Sequence, residues 1–386
     1  MTSSPHKFWL VIQFRIFILS LFVCSAGVAQ IPIPQPPQLR AESFVLLDFA
    51  SGKVLAERTP DLRLDPASLT KLMTAYVVFH ALDQGQIGLD DQVTVSEKAW
   101  RTEGSRMFIE VNTRVRVEDL IRGMIIQSGN DASVALAEHI AGDEDTFSAL
   151  MNEYAQILGM TGTSYRNSTG LPSLDHYTSA RDVAILARAI VTEFPNYYSW
   201  YSEREFTYNE ITQHNRNSLL WRDASVDGMK TGYTEDAGYC LVTSAERSGM
   251  RLISVVMGMP TAETRASGSQ ALLNYGFRFY ETHRLYTSGE QMTSTRVWGG
   301  NQETAALGIA EDLFVTIPRG SYDTLSTDLE VESDLIAPLA GEVAVGQVRV
   351  SLSGDTLLDV PLITLHPVEQ GSFWTRLKDE LTLWLR

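Results

Sequence analysis

The apolar period of this chain changes twice along its length, and that order constrains the fold more than any other feature. The run "SFVLLDFASGKVLAER", from Ser43, reads as a hairpin, two strands joined around Ser51-Gly52. From 65 to about 195 the apolar residues recur at helical spacing, punctuated by Gly and Pro. Three strand-like runs follow at 227–233, 238–245 and 251–257, with "TEDAG" and "ERSG" as the turns between them. A further helix fits "AETRASGSQALLNYGFRFYE". Strands at both ends of a helical stretch close by pairing across it. The expected architecture is one antiparallel sheet with helices packed on it.

At 386 residues the chain is too long for one ordinary domain. Beyond about Glu281 the composition changes to short strand-like runs, "TSTRVWGG", "LFVTIPRG", "LEVES", "VGQVRVSLSG" and "LLDVPLITL", separated by turn residues. These predict a small all-β domain over 282–367. The N-terminus reads differently again. Lys7 precedes an apolar run over 16–24, and small residues end at Gly27-Val28-Ala29. This is the pattern of a secretory signal peptide over 1–29, cleaved after Ala29. Arg15 interrupts the stretch, so it is too short for a membrane span of about 20 apolar residues. The proline-rich "IPIPQPPQ" over 31–38 is an extended lead-in.

The net charge is −16, and loss of the leader removes Lys7 and Arg15 but no acid, moving it to −18. Nucleic acid is an unsuitable partner, because phosphate binding needs clustered Lys and Arg. Cys24 goes with the leader, so Cys240, in the strand-like "GYCLVTSA", has no intramolecular partner and is expected to be an inert core thiol. His-Glu-x-x-His, Gly-x-Ser-x-Gly and glycine-rich phosphate loops do not occur, and the histidines are scattered without metal spacing.

What remains is "DPASLTKLMTAY", over 65–76. Asp65 is placed to cap a helix, Pro66 suits its first turn, and Leu69, Leu72, Met73 and Val77 make it a buried one. Ser68 and Lys71, three apart, share a face of it. The helix dipole favours negative charge on a first-turn serine oxygen. A lysine one turn later can take its proton if burial or a nearby cation lowers the lysine pKa. Two further elements accompany the pair. "IIQSGNDASVALAEHIAG" places Ser128-Gly129-Asn130 on a turn before a helix expected to be capped by Asp131. "DGMKTGYTEDAGY" places Lys230-Thr231-Gly232 on a strand, where a glycine marks close backbone approach.

Ser-x-x-Lys, Ser-x-Asn and Lys-Thr-Gly, in that order on helix, turn and strand, resemble the motifs of penicillin-binding proteins and serine β-lactamases. "SGNDASVALAEHIAG", "FSALMNEYAQILGMTGTSYRNSTGLP", "HYTSARDVAILARAI", "RNSLLW" and "VDGMKTGYTEDAGYCLVTSA" are similar to the low-molecular-mass D-alanyl-D-alanine carboxypeptidases, over nearly the whole mature chain. The resemblance implies an α/β fold: a β-lactamase/transpeptidase-like domain over 30–281, a small C-terminal β-sandwich domain over 282–367, and a C-terminal helix over 368–386. It implies removal of the terminal D-alanine from peptidoglycan stem pentapeptides, without a cofactor, and covalent inhibition by β-lactam antibiotics. It makes Ser68 the nucleophile and Lys71 its base. Ser128 is then the relay to the leaving group, while Asn130 holds the substrate amide and Lys71. Lys230, beside Lys71, helps keep that base neutral, and with Thr231 and Gly232 it binds the substrate. The backbone N–H groups of Ser68 and Tyr233 are the oxyanion hole. Relatives often carry histidine where Tyr233 stands, so only the backbone role is carried over. Arg265 matches an arginine for the terminal carboxylate and Arg216 a second arginine at the cleft.

Two other activities would use the same motifs, a D,D-endopeptidase cutting cross-links and a weak β-lactamase. For the latter, Glu193 in "EFPN" is the glutamate that would activate a deacylating water. The last sixteen residues, "GSFWTRLKDELTLWLR", place Phe373, Trp374, Leu377, Leu381, Trp384 and Leu385 within an arc of about 120°, with the charged residues outside it. This amphipathic helix is too short and charged to span a bilayer. It is expected to lie in the inner-membrane interface on the periplasmic side, as in the family it resembles.

Overall fold

The structure, a computed structural model, describes residues 33–332 and 334–385. The leader read over 1–29, with Cys24, lies outside the described residues.

The strand-like runs form one five-stranded antiparallel sheet. Its order is Val54–Arg58, Ser43–Asp48, Met250–Met259, Gly238–Arg247, Val226–Thr234, so the N-terminal hairpin pairs with the third of the late strands, Val45 opposite Val255. Alternation along Ser43–Asp48 sends Val45 and Leu47 into one core and Phe44 and Leu46 into another. The first core lies between the sheet and the helices Thr70–Asp83, Asn130–Ala141, Glu144–Ile157 and Ala180–Glu193. The second lies beneath Ala262–Phe279, which opens with a reciprocal Thr261/Thr264 capping box. A sheet covered on both faces needs strands apolar on both, and these are.

Val226–Thr234 is the sheet's edge, so the backbone beside Lys230 and Gly232 is open to whatever packs there. A turn of 3₁₀ helix, Ala67–Leu69, packs there and runs straight into Thr70–Asp83. The expected Asp65 cap is not made: Pro66 takes the cap position and no side chain caps the turn. Ala67 adopts φ +45°, which turns Ser68 toward the edge strand. The Asn130–Ala141 helix also starts otherwise than expected. It begins at Asn130 with Gly129 as cap, Ser128 is left-handed at φ +68°, and the Asp131 carboxylate is used elsewhere.

After Ala262–Phe279 the described residues form strands, with one 3₁₀ turn at Tyr322–Thr324, until the last helix. Leu325–Val331, Ala344–Leu352, Asp355–Thr364, Thr304–Gly308, Thr293–Trp298 and Leu335–Ile336 form one sheet in that order, and Tyr280–Tyr286 pairs with Leu313–Pro318 in another. The two enclose a third core around Leu307, Val315, Ile317, Val348 and Leu362. The described part of the proline-rich lead-in, 33–38, is held down: Pro34 O accepts the Tyr275 hydroxyl at 3.1 Å. Phe373–Trp384 is the expected terminal helix. It docks by its polar side, the Asp379 carboxylate accepting Gly299 N–H at 2.8 Å, while Trp374 and Trp384 remain 75% and 83% exposed. Among the described residues no helix is long and apolar enough to cross a membrane.

Candidate active site

The helical i, i+3 spacing brings Lys71 Nζ to 3.0 Å from the half-buried Ser68 Oγ. Lys71 is 1% exposed, because its helix is enclosed on nearly every side. Its Nζ donates to Asn130 Oδ1 at 2.6 Å and to Thr169 O at 2.6 Å. Burial lowers its pKa to about 7, against the opposing pull of the Asp131 and Glu144 carboxylates. Lys230 is expected to help keep this base neutral; the leading cause of the lowered value is removal from water.

Lys230 is equally buried and donates to Ser128 Oγ at 2.9 Å and Thr231 O at 3.0 Å. Burial and then the positive charges of Lys71, Arg265 and Arg216 hold its pKa well below the ordinary lysine value. The three motifs thus meet in one cleft: Ser68 and Lys71 on its floor, Ser128 and Asn130 on one wall, Lys230 to Tyr233 on the other. A Cβ at Gly232 would come within 3.2–3.3 Å of Ala67 Cβ, Pro66 O and Ser68 N, so any side chain at 232 would have to push the Ser68 turn back by a few tenths of an ångström. Gly170 supports the turn from below, where a Cβ would stand 1.8 Å from Ala67 O.

The two arginines stand close enough to Lys230 to lower its pKa. Arg265 Nη1 donates to Gly232 O at 3.0 Å and its guanidinium lies over the Tyr239 ring, 5.5 Å from its centroid. Arg216 Nη2 approaches Ser105 Oγ at 3.5 Å. Tyr233 is exposed and packs at a tilt against Tyr239, ring centroids 4.3 Å apart. Cys240 is buried, its thiol pushed up to about 11.

Several contributors were missed by sequence reasoning. Thr169 acts through its backbone carbonyl, which leaves no side-chain signal. Glu144 accepts Ser168 N–H at 3.0 Å and Ser168 Oγ at 2.8 Å and pairs with Lys98, fixing the loop that carries Thr169. Glu103 O accepts Asn130 Nδ2 at 2.6 Å. Glu193 is placed elsewhere than the β-lactamase reading requires: its carboxylate accepts the Tyr76 hydroxyl at 2.8 Å and faces His80.

Comparison with known proteins agrees with this geometry. The family model described as D-alanyl-D-alanine carboxypeptidase matches residues 30–261, and the one described as penicillin-binding protein 5, C-terminal domain, matches 280–370. The D-alanyl-D-alanine carboxypeptidase DacA of Escherichia coli strain K12 is 44% identical over 359 residues, 91% of this chain and 89% of that protein. The crystal structure of penicillin-binding protein 5 from Haemophilus influenzae superposes with a TM-score of 0.85 at 44% identity, over 87% of this chain and all of that one. Penicillin-binding protein D2 of Listeria monocytogenes, in its ampicillin-bound form, superposes with a TM-score of 0.58 at 30% identity, over 62% of this chain and all of that one. The α/β catalytic fold and the β-rich C-terminal part are those of the low-molecular-mass penicillin-binding proteins. The chain belongs to the D-alanyl-D-alanine carboxypeptidase family of serine peptidases.

Proposed function

We propose that this chain removes the terminal D-alanine from peptidoglycan stem pentapeptides through an acyl-enzyme on Ser68. The observation that carries the reading is the surroundings of Lys71 Nζ. A neutral amine has two N–H bonds and one lone pair. Asn130 Oδ1 and Thr169 O accept the two hydrogens, which leaves the lone pair for the hydroxyl of Ser68, 3.0 Å away. A base whose pKa lies at about 7 is neutral in a useful fraction at physiological pH.

Ser68 Oγ attacks the carbonyl carbon of the D-Ala-D-Ala amide as its proton passes to Lys71. The oxyanion forms against the N–H groups of Ser68 and Tyr233, brought near each other by the close approach of Gly232. The C–N bond then breaks, the amine taking a proton through Ser128, which Lys230 holds at 2.9 Å. Free D-alanine leaves. Water, deprotonated by Lys71, hydrolyses the ester and Ser68 regains its proton. Lys230, Thr231 and Arg265 bind the terminal carboxylate, and Arg216 adds positive charge at the cleft. β-Lactams, whose strained amide mimics the scissile one, acylate the same serine.

The enzyme is exported by the leader, works in the periplasm and is held peripherally on the inner membrane by Phe373–Trp384. The outward apolar side of that helix supports this placement, its polar side being the one docked. Carboxypeptidase domain 30–281, β domain 282–367 and anchor 368–386 are the corresponding units.

Incubation with a D-Ala-D-Ala pentapeptide, with a D-Ala-cross-linked peptide dimer and with nitrocefin tests the reading. Release of free D-alanine from the pentapeptide is expected. Cleavage of the dimer alone would make it an endopeptidase, and fast nitrocefin turnover alone a β-lactamase.

A further inference from the structure

Asp131 follows the second motif directly and is completely buried. Its carboxylate binds backbone: Oδ1 accepts Met107 N–H at 3.0 Å and Ala132 N–H at 2.9 Å, and Oδ2 accepts Phe108 N–H at 2.9 Å and Ile109 N–H at 3.3 Å. The contacts on Met107, Phe108 and Ile109 reach a segment more than twenty positions earlier in the chain. That segment forms the outer part of the Ser128–Asn130 wall. Ser105 O accepts Asn130 N–H at 2.7 Å, Glu103 O accepts Asn130 Nδ2, and Arg106 O accepts Gln213 Nε2 at 3.0 Å. Phe108 sits at φ +68°, a left-handed conformation that a non-glycine residue keeps only under constraint, and its N–H is one of those that Asp131 binds.

We infer that Asp131 is a positioning residue for acylation: it clamps residues 103–109 against Asn130 and so fixes the amide face that Asn130 turns to Lys71. The inference rests on the carboxypeptidase reading above. Asn130 donates through Nδ2 to Glu103 O, and that bond sets which way its Oδ1 points. If the segment drifts, Asn130 can rotate, and the acceptor that holds one hydrogen of Lys71 is lost. The packing leaves little slack. A Cβ at Gly129 would lie 2.9 Å from Asp131 Oδ1 and 3.2 Å from Met107 N, and one at Gly104 would lie 2.7 Å from Asn130 Nδ2.

The same carboxylate acts on Lys71 through space. The charged groups around Lys71 are Asp131, Glu144 with its partner Lys98, and Lys230 with Arg216 and Arg265 beyond it. His176, bonded to the neighbouring Thr70 at 2.9 Å, has its pKa lowered to about 4 by burial and stays neutral near pH 7. Asp131 and Glu144 both favour the protonated lysine, so removing the Asp131 charge moves the Lys71 titration to lower pH.

Acylation by a fluorescent penicillin, followed as rate against pH, tests this on Asp131→Asn and Asp131→Glu beside wild type and Ser68→Ala. Asp131→Asn is expected to lower the plateau rate about 10- to 100-fold and to move the acid limb to lower pH. Asp131→Glu keeps the charge but displaces it, so the plateau should fall while the acid limb stays. Hydrogen exchange of residues 103–109 should quicken in both. A limb that does not move in a folded Asp131→Asn protein, or a plateau unchanged in Asp131→Glu, overturns the inference. If Asp131→Asn does not fold, the Asp131→Glu plateau and exchange decide alone. Labelling of Ser68→Ala at the wild-type rate would instead overturn the reading of the site itself.

Discussion

Lys230 Nζ lies 2.9 Å from Ser128 Oγ, a contact between residues 102 apart in sequence that ties the sheet's edge strand to the turn before the Asn130 helix. It places a second buried amine in the same cleft as Lys71. Two ammonium groups that close, out of water, disfavour each other, so the site holds fewer protons than two isolated lysines would.

This has a pH consequence. If neutral Lys71 is the base, the acylation rate follows its unprotonated fraction. With the Lys71 pKa at about 7, the rate should be on a plateau above that pH and fall about tenfold per unit below it. A pH series of kcat/KM on a D-Ala-D-Ala peptide checks this. An acid limb near the ordinary lysine value would mean that Lys71 is not desolvated in solution.

Ser68→Ala removes one oxygen from a half-buried position and should leave folding unchanged. Penicillin labelling should vanish and peptide turnover should fall by at least about 10³-fold. Labelling that persists in the mutant would move the nucleophile elsewhere.

Arg265→Ala should cost about 10- to 100-fold in kcat/KM on a peptide with a free terminal carboxylate, the size of a lost charge-assisted hydrogen bond. A C-terminally amidated peptide should lose much less. Equal losses on both would assign Arg265 to holding Gly232 O and Cys240 O, which it also contacts.

Gly170→Ala tests the floor beneath the nucleophile. The new methyl would meet Ala67 O, and the backbone there is at φ +84°. We expect a loss of about 2–4 kcal/mol in urea unfolding together with slower acylation. A near-neutral change would show that the Ala67 turn yields without consequence for Ser68.

Deleting residues 372–386 should release a soluble enzyme with unchanged activity on small peptides. The full-length protein should stay on vesicles at high salt and leave them in detergent, because apolar burial dominates over charge in this helix. A truncated protein that still sediments with vesicles, or that unfolds, would show that the helix belongs to the β-rich part, on which Asp379 docks it.

Much of this molecule is determined locally and is therefore legible in the sequence. The short apolar runs of Ser43–Asp48 and the late strands and the amphipathic arc of the tail are local patterns, and such patterns survive whatever the rest of the chain does. The Ser68–Lys71 pair belongs with them, because an i, i+3 spacing puts two side chains together on any helix. Other features depended on distant packing. The helix beginnings at residues 67 and 130 differ from the caps expected, because the Ala67 turn is shaped by Gly170 and Gly232, and three of the four donors to Asp131, at Met107, Phe108 and Ile109, come from a distant segment. Glu193 carries the right side chain for a water-activating role, but the fold presents it to Tyr76. Thr169 contributes a carbonyl, which every residue has. The depressed pKa of Lys71 follows from the exclusion of water by the elements that surround its helix. Local residue patterns thus mark which groups can do the chemistry and on which elements they stand. How far those groups lie from water and from one another follows from the packing of the whole chain, because desolvation and charge proximity belong to the packed volume and not to any one segment.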